Sequence, residues 1–133
     1  MTNKEEYKRR RKLLTDALRS GDYNQGFGAL ETKAGFCCLG VACVVAEKNG
    51  VKVNRVSGIQ TLEGNTFLSQ KNVIDWYGFR SFSAKFTLAG DTSELSLINL
   101  NDVYKFSFDQ IADIIENETG NLFVESDDHH VKL

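Results

Sequence analysis

Apolar residues near the N-terminus recur at intervals of three, four and seven, which is the spacing of an amphipathic helix. Tyr7, Leu14 and Leu18 fall on one stripe, and they predict a helix over residues 4–20. The chain contains no proline that would interrupt this helix. Gly21 supplies its end, because glycine readily adopts the left-handed conformation that commonly terminates a helix.

Pairs of capping residues mark two further helices toward the C-terminus. Ser107 and Gln110 have the spacing of a capping box, in which each side chain accepts a hydrogen bond from the backbone of the other. The apolar face that follows them consists of Phe108, Ile111, Ile114 and Ile115. Asp91 and Glu94 have the same spacing, and they predict a short helix that ends near Asn101.

The segment over residues 37–48 is apolar on nearly every side, so it lacks the polar face of a surface helix. A helix of this type is expected to lie at the centre of the molecule. Asn49 and Gly50 can satisfy its last carbonyl groups and end it. A further helix is predicted over residues 69–77, where Gly78 provides the stop.

Alternation of apolar and polar residues predicts short strands between these helices. The clearest case is the segment 82–88, in which Phe82, Ala84, Phe86 and Leu88 share one face. A hairpin is predicted over residues 27–36 with Gly35 in its three-residue turn, and VKVNRV at residues 51–56 predicts another strand. Together these elements predict an α+β fold that is rich in helix, with a central buried helix and a small antiparallel sheet.

Length and composition fit one globular domain, since 41% of the 133 residues are hydrophobic and 26% are charged. Residues 1–124 are predicted to form that domain, and residues 125–133 are predicted to form an acidic flexible tail. The N-terminus has no apolar stretch of signal-peptide length, and no segment approaches the roughly 18 apolar residues of a membrane helix. A cytoplasmic protein without membrane contact is therefore expected.

Charge is distributed unevenly along the chain. Residues 1–20 hold seven basic and three acidic side chains, whereas residues 91–133 hold two and ten. Three interpretations stay open: pairing between the first and last helices, head-to-tail contact between copies in a homo-oligomer, or two solvated faces. The basic run KRRRK at residues 8–12 encircles its helix instead of forming a stripe, so nucleic acid is not an expected partner.

Three cysteines occur in the predicted central helix: Cys37, Cys38 and Cys43. Successive helical residues are about 100° apart, so the three thiols diverge and no metal site is expected. A thiol at a helix N-terminus can be activated as a nucleophile, which makes Cys37 or Cys38 a candidate. The only histidines that could serve as its base, His129 and His130, lie in the predicted tail. The sequence therefore favours a packing role for the thiols.

The glycine-rich loop GDYNQGFG, residues 21–28, is the strongest candidate for a site. The spacing of its glycines matches a phosphate-binding loop, but Phe27 stands in place of the lysine and the loop leads into a strand. Tyr23, Asn24 and Gln25 nevertheless offer a stacking face and amide groups beside a pliable backbone. A small polar ligand could use such groups, and a tight structural turn is the alternative.

The blocks ALRSGDYNQGFGAL, GFCCLGVAC, LINLND and SFDQIADIIE, in this order, resemble a family of small uncharacterised proteins from bacteriophages and some bacterial genomes. The resemblance covers residues 1–46 and roughly 95–118, and it implies no established activity. Most of the shared positions are of packing, turn or capping type. The polar exceptions are Tyr23, Gln25, Asn101 and Asp102.

These observations lead to two functional hypotheses. The first is a non-enzymatic phage or prophage accessory protein that counters host defence by binding a small polar ligand, such as a nucleotide signal, or a host protein. Its expected ligand-binding residues are Tyr23, Asn24, Gln25, Gly26, Phe27, Asn101 and Asp102, and no catalytic residue, metal or cofactor is expected. The alternative is a cysteine-dependent hydrolase or transferase with Cys38 or Cys37 as nucleophile, assisted by Asp102 or a tail histidine.

Overall fold

Five helices and four short strands make up the part of the chain that the computed structural model describes, residues 3–87 and 94–124. The helices are α1 (Asn3–Arg19), α2 (Cys38–Lys48), α3 (Lys71–Tyr77), α4 (Leu97–Asp102) and α5 (Phe108–Glu116). The strands are β1 (Glu31–Thr32), β2 (Gly35–Phe36), β3 (Lys85–Thr87) and β4 (Glu94–Ser96), and a 3₁₀ turn (Phe67–Ser69) precedes α3. This content confirms the predicted α+β fold that is rich in helix.

Helix α2 lies at the centre of the fold, as its uniformly apolar sequence predicts. Its buried residues are Cys38, Leu39, Gly40, Val41, Ala42, Cys43, Val45 and Ala46. Helices α1, α3 and α4 pack around it, and α1 also packs along α5. Gly40 allows a close approach, because a Cβ atom there would overlap the carbonyl oxygen of Leu30.

The predicted end of α2 is confirmed, but the strand predicted after it does not form. The N–H of Val51 donates to the carbonyl of Ala46, which folds the chain back onto the last turn. The segment 51–56 then runs on without a strand partner. The buried side chain of Gln70 replaces that partner, because its Oε1 accepts from the N–H of Asn54 at 2.9 Å and its Nε2 donates to the Asn54 carbonyl at 2.8 Å.

The strands form two separate antiparallel pairs, β1 with β2 and β3 with β4. The β1–β2 hairpin is confirmed, although its connection holds two residues, Lys33 and Ala34, instead of three. Gly35 belongs to β2, where it pairs with Thr32. Its φ of 154° and the carbonyl of Asn24, which a Cβ atom would overlap, explain why glycine occupies this position.

The strand predicted over residues 82–88 is shorter than its alternating pattern. Strand β3 begins only at Lys85, and the side chain of Phe82 is 54% exposed. Ala84 is buried as predicted, but its φ of 56° places it in the left-handed region and prevents an extended strand on its N-terminal side. Phe86 is buried and pairs with Leu95, while residue 88 lies outside the described residues.

Helix α4 begins five residues later than a capping pair at Asp91 and Glu94 would place it, because its N-cap is Ser96 and not Asp91. Glu94 lies in strand β4, so the predicted capping role of that residue is wrong, and Asp91 lies outside the described residues. The N-cap is Ser96, whose hydroxyl oxygen accepts from the N–H of Asn99 at 3.1 Å. Ser96 is therefore both the last residue of strand β4 and the residue that starts helix α4.

Helix α5 has the predicted capping box, since the N–H of Gln110 donates to the Ser107 hydroxyl and the N–H of Ser107 donates to Oε1 of Gln110. Its acidic face meets the basic face of α1. Both terminal nitrogens of Arg19 pair with α5, one with Asp113 and one with Glu116, each at 2.6 Å. Pairing between the first and last helices therefore accounts for part of the uneven charge.

Candidate functional site

The glycine-rich loop runs alongside strand β2 and is fixed to it by backbone hydrogen bonds. The N–H of Gly26 donates to the carbonyl of Phe36 at 2.7 Å, and the N–H of Phe36 donates to the carbonyl of Asn24 at 2.8 Å. A Cβ atom on Gly26 would lie 2.7 Å from the Gly35 carbonyl oxygen. Glycine is needed at Gly26 for this close approach of two backbone segments, not for an anion.

Asn101 is the hydrogen-bonding centre of this region, and it is completely buried. Its Oδ1 accepts from Nε2 of Gln25 at 2.7 Å and from the N–H of Cys38 at 3.3 Å. Its Nδ2 donates to the carbonyl of Gly26 at 2.9 Å and to Oδ1 of Asp102 at 2.8 Å. These four bonds use the whole capacity of a side-chain amide. Asn101 therefore joins the loop, the start of α2 and the end of α4.

The aromatic residues of the loop lie outside this cluster. Tyr23 packs edge-on against Phe36, with ring centroids 5.8 Å apart, and its hydroxyl accepts from Nζ of Lys48 at 3.1 Å. Phe27 is 42% exposed, and Nζ of Lys105 lies 4.0 Å from the centre of its ring. The predicted ligand-binding residues are thus divided. Gln25, Gly26 and Asp102 contact Asn101 in the interior, whereas Asn24 and Phe27 are exposed.

A cavity of about 380 Å³ lies between the far end of the loop and helix α4. Residues 28–30, at the end of the loop and directly after it, form one side of the cavity, and residues 64–67 ahead of α3 form another. Cys37, Ile98 and Asp102 complete the lining, which is mostly apolar. Within the described residues, Asp102 supplies the only ionisable carboxylate of the lining. Asp102 is also the only predicted ligand-binding residue that lines this cavity.

The loop that follows α4 is fixed by the same amide cluster. Nε2 of Gln25 also donates to the carbonyl of Phe106 at 2.8 Å, and the N–H of Phe106 donates to the carbonyl of Leu100 at 2.8 Å. Asp102 lies between these two anchored points. The backbone around Asp102 is consequently anchored on both sides along the chain, and Asn101 donates to its carboxylate.

A family model described as a domain of unknown function, DUF8296, matches residues 5–119. The chain belongs to this family. The match runs through the middle of the chain and includes every residue that lines the cavity. The comparison with curated proteins found no match, and neither did the comparison with solved structures.

The thiols of this DUF8296 domain are buried, as the packing interpretation predicts. Burial raises the pKa of Cys37 to about 11 and that of Cys43 to about 12, and it raises the pKa of Cys38 well above its usual range. The negative charge of Asp102 raises the pKa of Cys37 and Cys38 further. The helix N-terminus does not overcome the loss of hydration, so the thiolate form of each residue is disfavoured at neutral pH.

The basic run at residues 8–12 is engaged with other parts of the DUF8296 domain. The side chain of Arg11 is buried, and its Nε donates to the carbonyl of Tyr77 at 2.8 Å. Lys12 pairs with Asp16 one turn later at 3.0 Å. The contact of Arg11 therefore holds α1 to α3, whereas the Lys12–Asp16 pair lies within α1.

Two kinds of site are not found within residues 3–87 and 94–124. No group of three or more cysteine, histidine, aspartate or glutamate side chains is arranged to hold a metal ion. No helix in this part of the chain combines the length and apolar character needed to cross a membrane.

Proposed function

We propose that this DUF8296 domain is a non-enzymatic binding module that holds a small polar ligand in the cavity beside Asp102. The observation that carries the proposal is the placement of one carboxylate in an otherwise mostly apolar cavity of about 380 Å³. Small-molecule sites are typically cavities of roughly 300–1,000 Å³ that are lined mostly by apolar side chains and contain a few fixed polar groups. Asp102 would supply orientation, and the apolar walls would supply most of the buried area.

The cavity is assembled from four separate segments, which favours a preformed site. The start of α2 contributes Cys37, and helix α4 contributes Ile98 and Asp102. The backbone groups of Gly28 and Ala29 form no hydrogen bond with the described part of the chain. Their N–H and carbonyl groups would therefore be available to a polar ligand.

The cysteine-dependent enzyme remains the second candidate, because Cys37 and Asp102 line the same cavity. The evidence against this candidate is that the Cys37 thiol stays protonated at neutral pH. A nucleophilic cysteine needs a depressed pKa or an adjacent base, whereas burial raises the pKa of Cys37 to about 11. A nearby carboxylate disfavours the thiolate further. These physical effects support the binding module over the enzyme.

The biological setting of the proposal comes from the resemblance to phage proteins. We place the domain among phage or prophage accessory proteins that act on a host component. A nucleotide signal of host defence is the proposed type of ligand, and a host protein is the alternative partner. This setting is inferred by analogy with the resembling proteins, whereas the ligand site is inferred from the cavity beside Asp102.

A thermal-shift screen of nucleosides, nucleotides, cyclic dinucleotides and small amines tests the proposal. A ligand that binds only the folded form raises the melting temperature, and the shift grows with the logarithm of the ligand concentration relative to its dissociation constant. We expect at least one such ligand, and we expect Ile98→Trp to abolish the shift by filling the cavity. Phe82→Trp, at an exposed position outside the cavity lining, is the control and should keep the shift. No shift with any compound, or the same shift in both variants, would refute a small-ligand site here.

Alkylation separates the binding module from the enzyme. Iodoacetamide is added to the native protein at pH 7.5, and the modified cysteine is identified by mass spectrometry. The binding module predicts slow labelling of Cys37 that becomes fast only in urea. Rapid labelling of the native protein at Cys37 alone would favour the cysteine-dependent enzyme.

A further inference from the structure

The hydrogen bonding of Asp102 leaves most of its carboxylate available. Oδ1 accepts one bond, from Nδ2 of Asn101, and no Lys or Arg among the described residues forms an ion pair with Asp102. An ionised carboxylate has about four lone-pair positions and no hydrogen to donate. A ligand in the cavity is therefore best matched when it presents donors to both oxygen atoms, because a ligand without donors would leave the outer oxygen unsatisfied beside apolar walls.

The most favourable partner of a carboxylate is a planar group with two parallel N–H donors. Such a pair makes two hydrogen bonds in a fixed geometry, which a single ammonium group does not. Among the nucleobases, guanine has this edge, because its N1–H and its exocyclic amine are neighbours. Adenine and cytosine instead place an acceptor beside the donor, and uracil flanks its N–H with two carbonyl oxygens. Each would direct a lone pair at the carboxylate.

The rest of the cavity is compatible with a flat ring. Leu30, Phe67 and Ile98 provide apolar surface around Asp102. The N–H groups of Gly28 and Ala29, on the loop side, have no partner within the described residues and would suit a ring carbonyl oxygen such as O6 of guanine. Apolar walls, a carboxylate with free lone pairs and unpartnered backbone N–H groups thus favour an apolar ring with paired donors.

We propose that the cavity binds a planar edge carrying two adjacent N–H donors against the carboxylate of Asp102, with guanine as the nucleobase that supplies it. The inference rests on the proposed ligand site and adds its selectivity. An amidinium or guanidinium group shares the same edge, so the source of the edge is decided by experiment.

The test measures the affinities of guanosine, inosine, adenosine and benzamidine by isothermal titration calorimetry. Inosine differs from guanosine only by lacking the exocyclic amine. Loss of one member of a bidentate pair is worth about 1–3 kcal/mol, so inosine should bind roughly 5- to 150-fold more weakly than guanosine. Adenosine should bind more weakly still. If benzamidine binds and guanosine does not, the paired-donor edge is supported, and the ligand is an amidine or guanidine compound.

A substitution at Asp102 gives a second readout that a loss of folding would not imitate. In Asp102→Asn, the oxygen can still accept from Asn101, while the new amide N–H₂ replaces the outer oxygen. Guanosine binding should then be lost, and xanthosine, which has a carbonyl oxygen where guanosine has the amine, should bind better to the variant than to the wild type. Asp22→Asn, at an exposed position outside the cavity lining, is the matched control and should bind guanosine normally.

Two results would overturn the inference. Equal affinity for guanosine and inosine would show that the exocyclic amine of guanosine does not contribute to binding. Absence of binding by both guanosine and benzamidine at millimolar concentration would exclude the paired-donor edge altogether. Either result leaves the ligand site itself intact if another compound stabilises the wild type but not Ile98→Trp, so the two proposals fail separately.

Discussion

Replacing Asn101 by alanine is the most direct test of how the candidate site is built. Asn101 is completely buried, and its amide makes four hydrogen bonds. The partners are Gln25, Gly26, Cys38 and Asp102. Asn101→Ala removes all four bonds at once while leaving the backbone of α4 free to stay helical, since alanine is a good helix former.

The expected cost follows from the groups that lose their partners. The carbonyl of Gly26 and the N–H of Cys38 belong to buried residues, and each unsatisfied buried group costs about 1–3 kcal/mol. Gln25 is only partly buried and keeps its bond to the Phe106 carbonyl, so it adds less. With the small void left by the amide, we expect the free energy of unfolding to fall by about 3–5 kcal/mol. That is a large share of the roughly 5–15 kcal/mol that stabilises a typical domain.

Urea unfolding followed by circular dichroism measures this change, with the slope of the transition as a check on two-state behaviour. Asn99→Ala is the matched control, because Asn99 lies exposed on the same helix and should cost less than about 0.5 kcal/mol. If Asn101→Ala does not fold, Gln25→Ala still tests the cluster with an expected loss of about 1 kcal/mol. A loss below about 1 kcal/mol for Asn101→Ala would refute the reasoning.

Three further predictions concern the packing around α2 and the ends of helices. Gly40→Ala would ordinarily stabilise a helix, but here the new Cβ atom overlaps the Leu30 carbonyl, so urea unfolding should show a loss of about 1–3 kcal/mol. The pKa values of Cys37 and Cys43, about 11 and 12, exceed the ordinary 9.0, so unfolded thiols ionise first and the free energy of unfolding should fall above pH 9. Ser107→Ala should cost about 1 kcal/mol in thermal or urea unfolding by removing the N-cap of α5.

Each of these expectations has a clear contrary result. A stabilised Gly40→Ala would mean that the loop and α2 are farther apart than the structure shows. A free energy of unfolding that stays constant between pH 8 and 10 in a reducing buffer would mean that the thiols ionise in the native state. An unchanged midpoint for Ser107→Ala would indicate that the first turn of α5 is held by its packing alone.

Helices were predicted more accurately than strands because their signals are local. The capping box at Ser107 and the left-handed stop at Gly78 act within a few residues, and the structure contains both. The alternating segment 82–88 fails at Ala84, where a left-handed backbone interrupts the extended chain. The strand predicted over residues 51–56 does not form because a residue farther along the chain intervenes: the side chain of Gln70 pairs with its backbone. Neither event has a signature in the alternation of apolar and polar residues.

The candidate site was predictable only in part. Among the positions shared with the resembling phage family, polarity marks Gln25, Asn101 and Asp102 as residues with more than a packing role, and the structure brings them together. Polarity alone does not say whether such groups face a ligand or one another. The cavity residues that the sequence did not indicate, among them Phe67 and Ile98, are ordinary apolar residues that become a wall only when distant segments meet.

The four hydrogen bonds of the Asn101 amide explain how the glycine-rich loop can influence the cavity although its polar side chains do not line it. Gln25 and Cys38 occupy the two lone pairs of Oδ1, and Gly26 takes one hydrogen of Nδ2. Flipping the amide would set its N–H₂ group against two donors, so the orientation is fixed and the second hydrogen must point to Asp102. The glycine-rich loop therefore positions the carboxylate through Asn101. For that reason, a ligand that depends on Asp102 should lose affinity in Gln25→Ala even though Gln25 does not line the cavity.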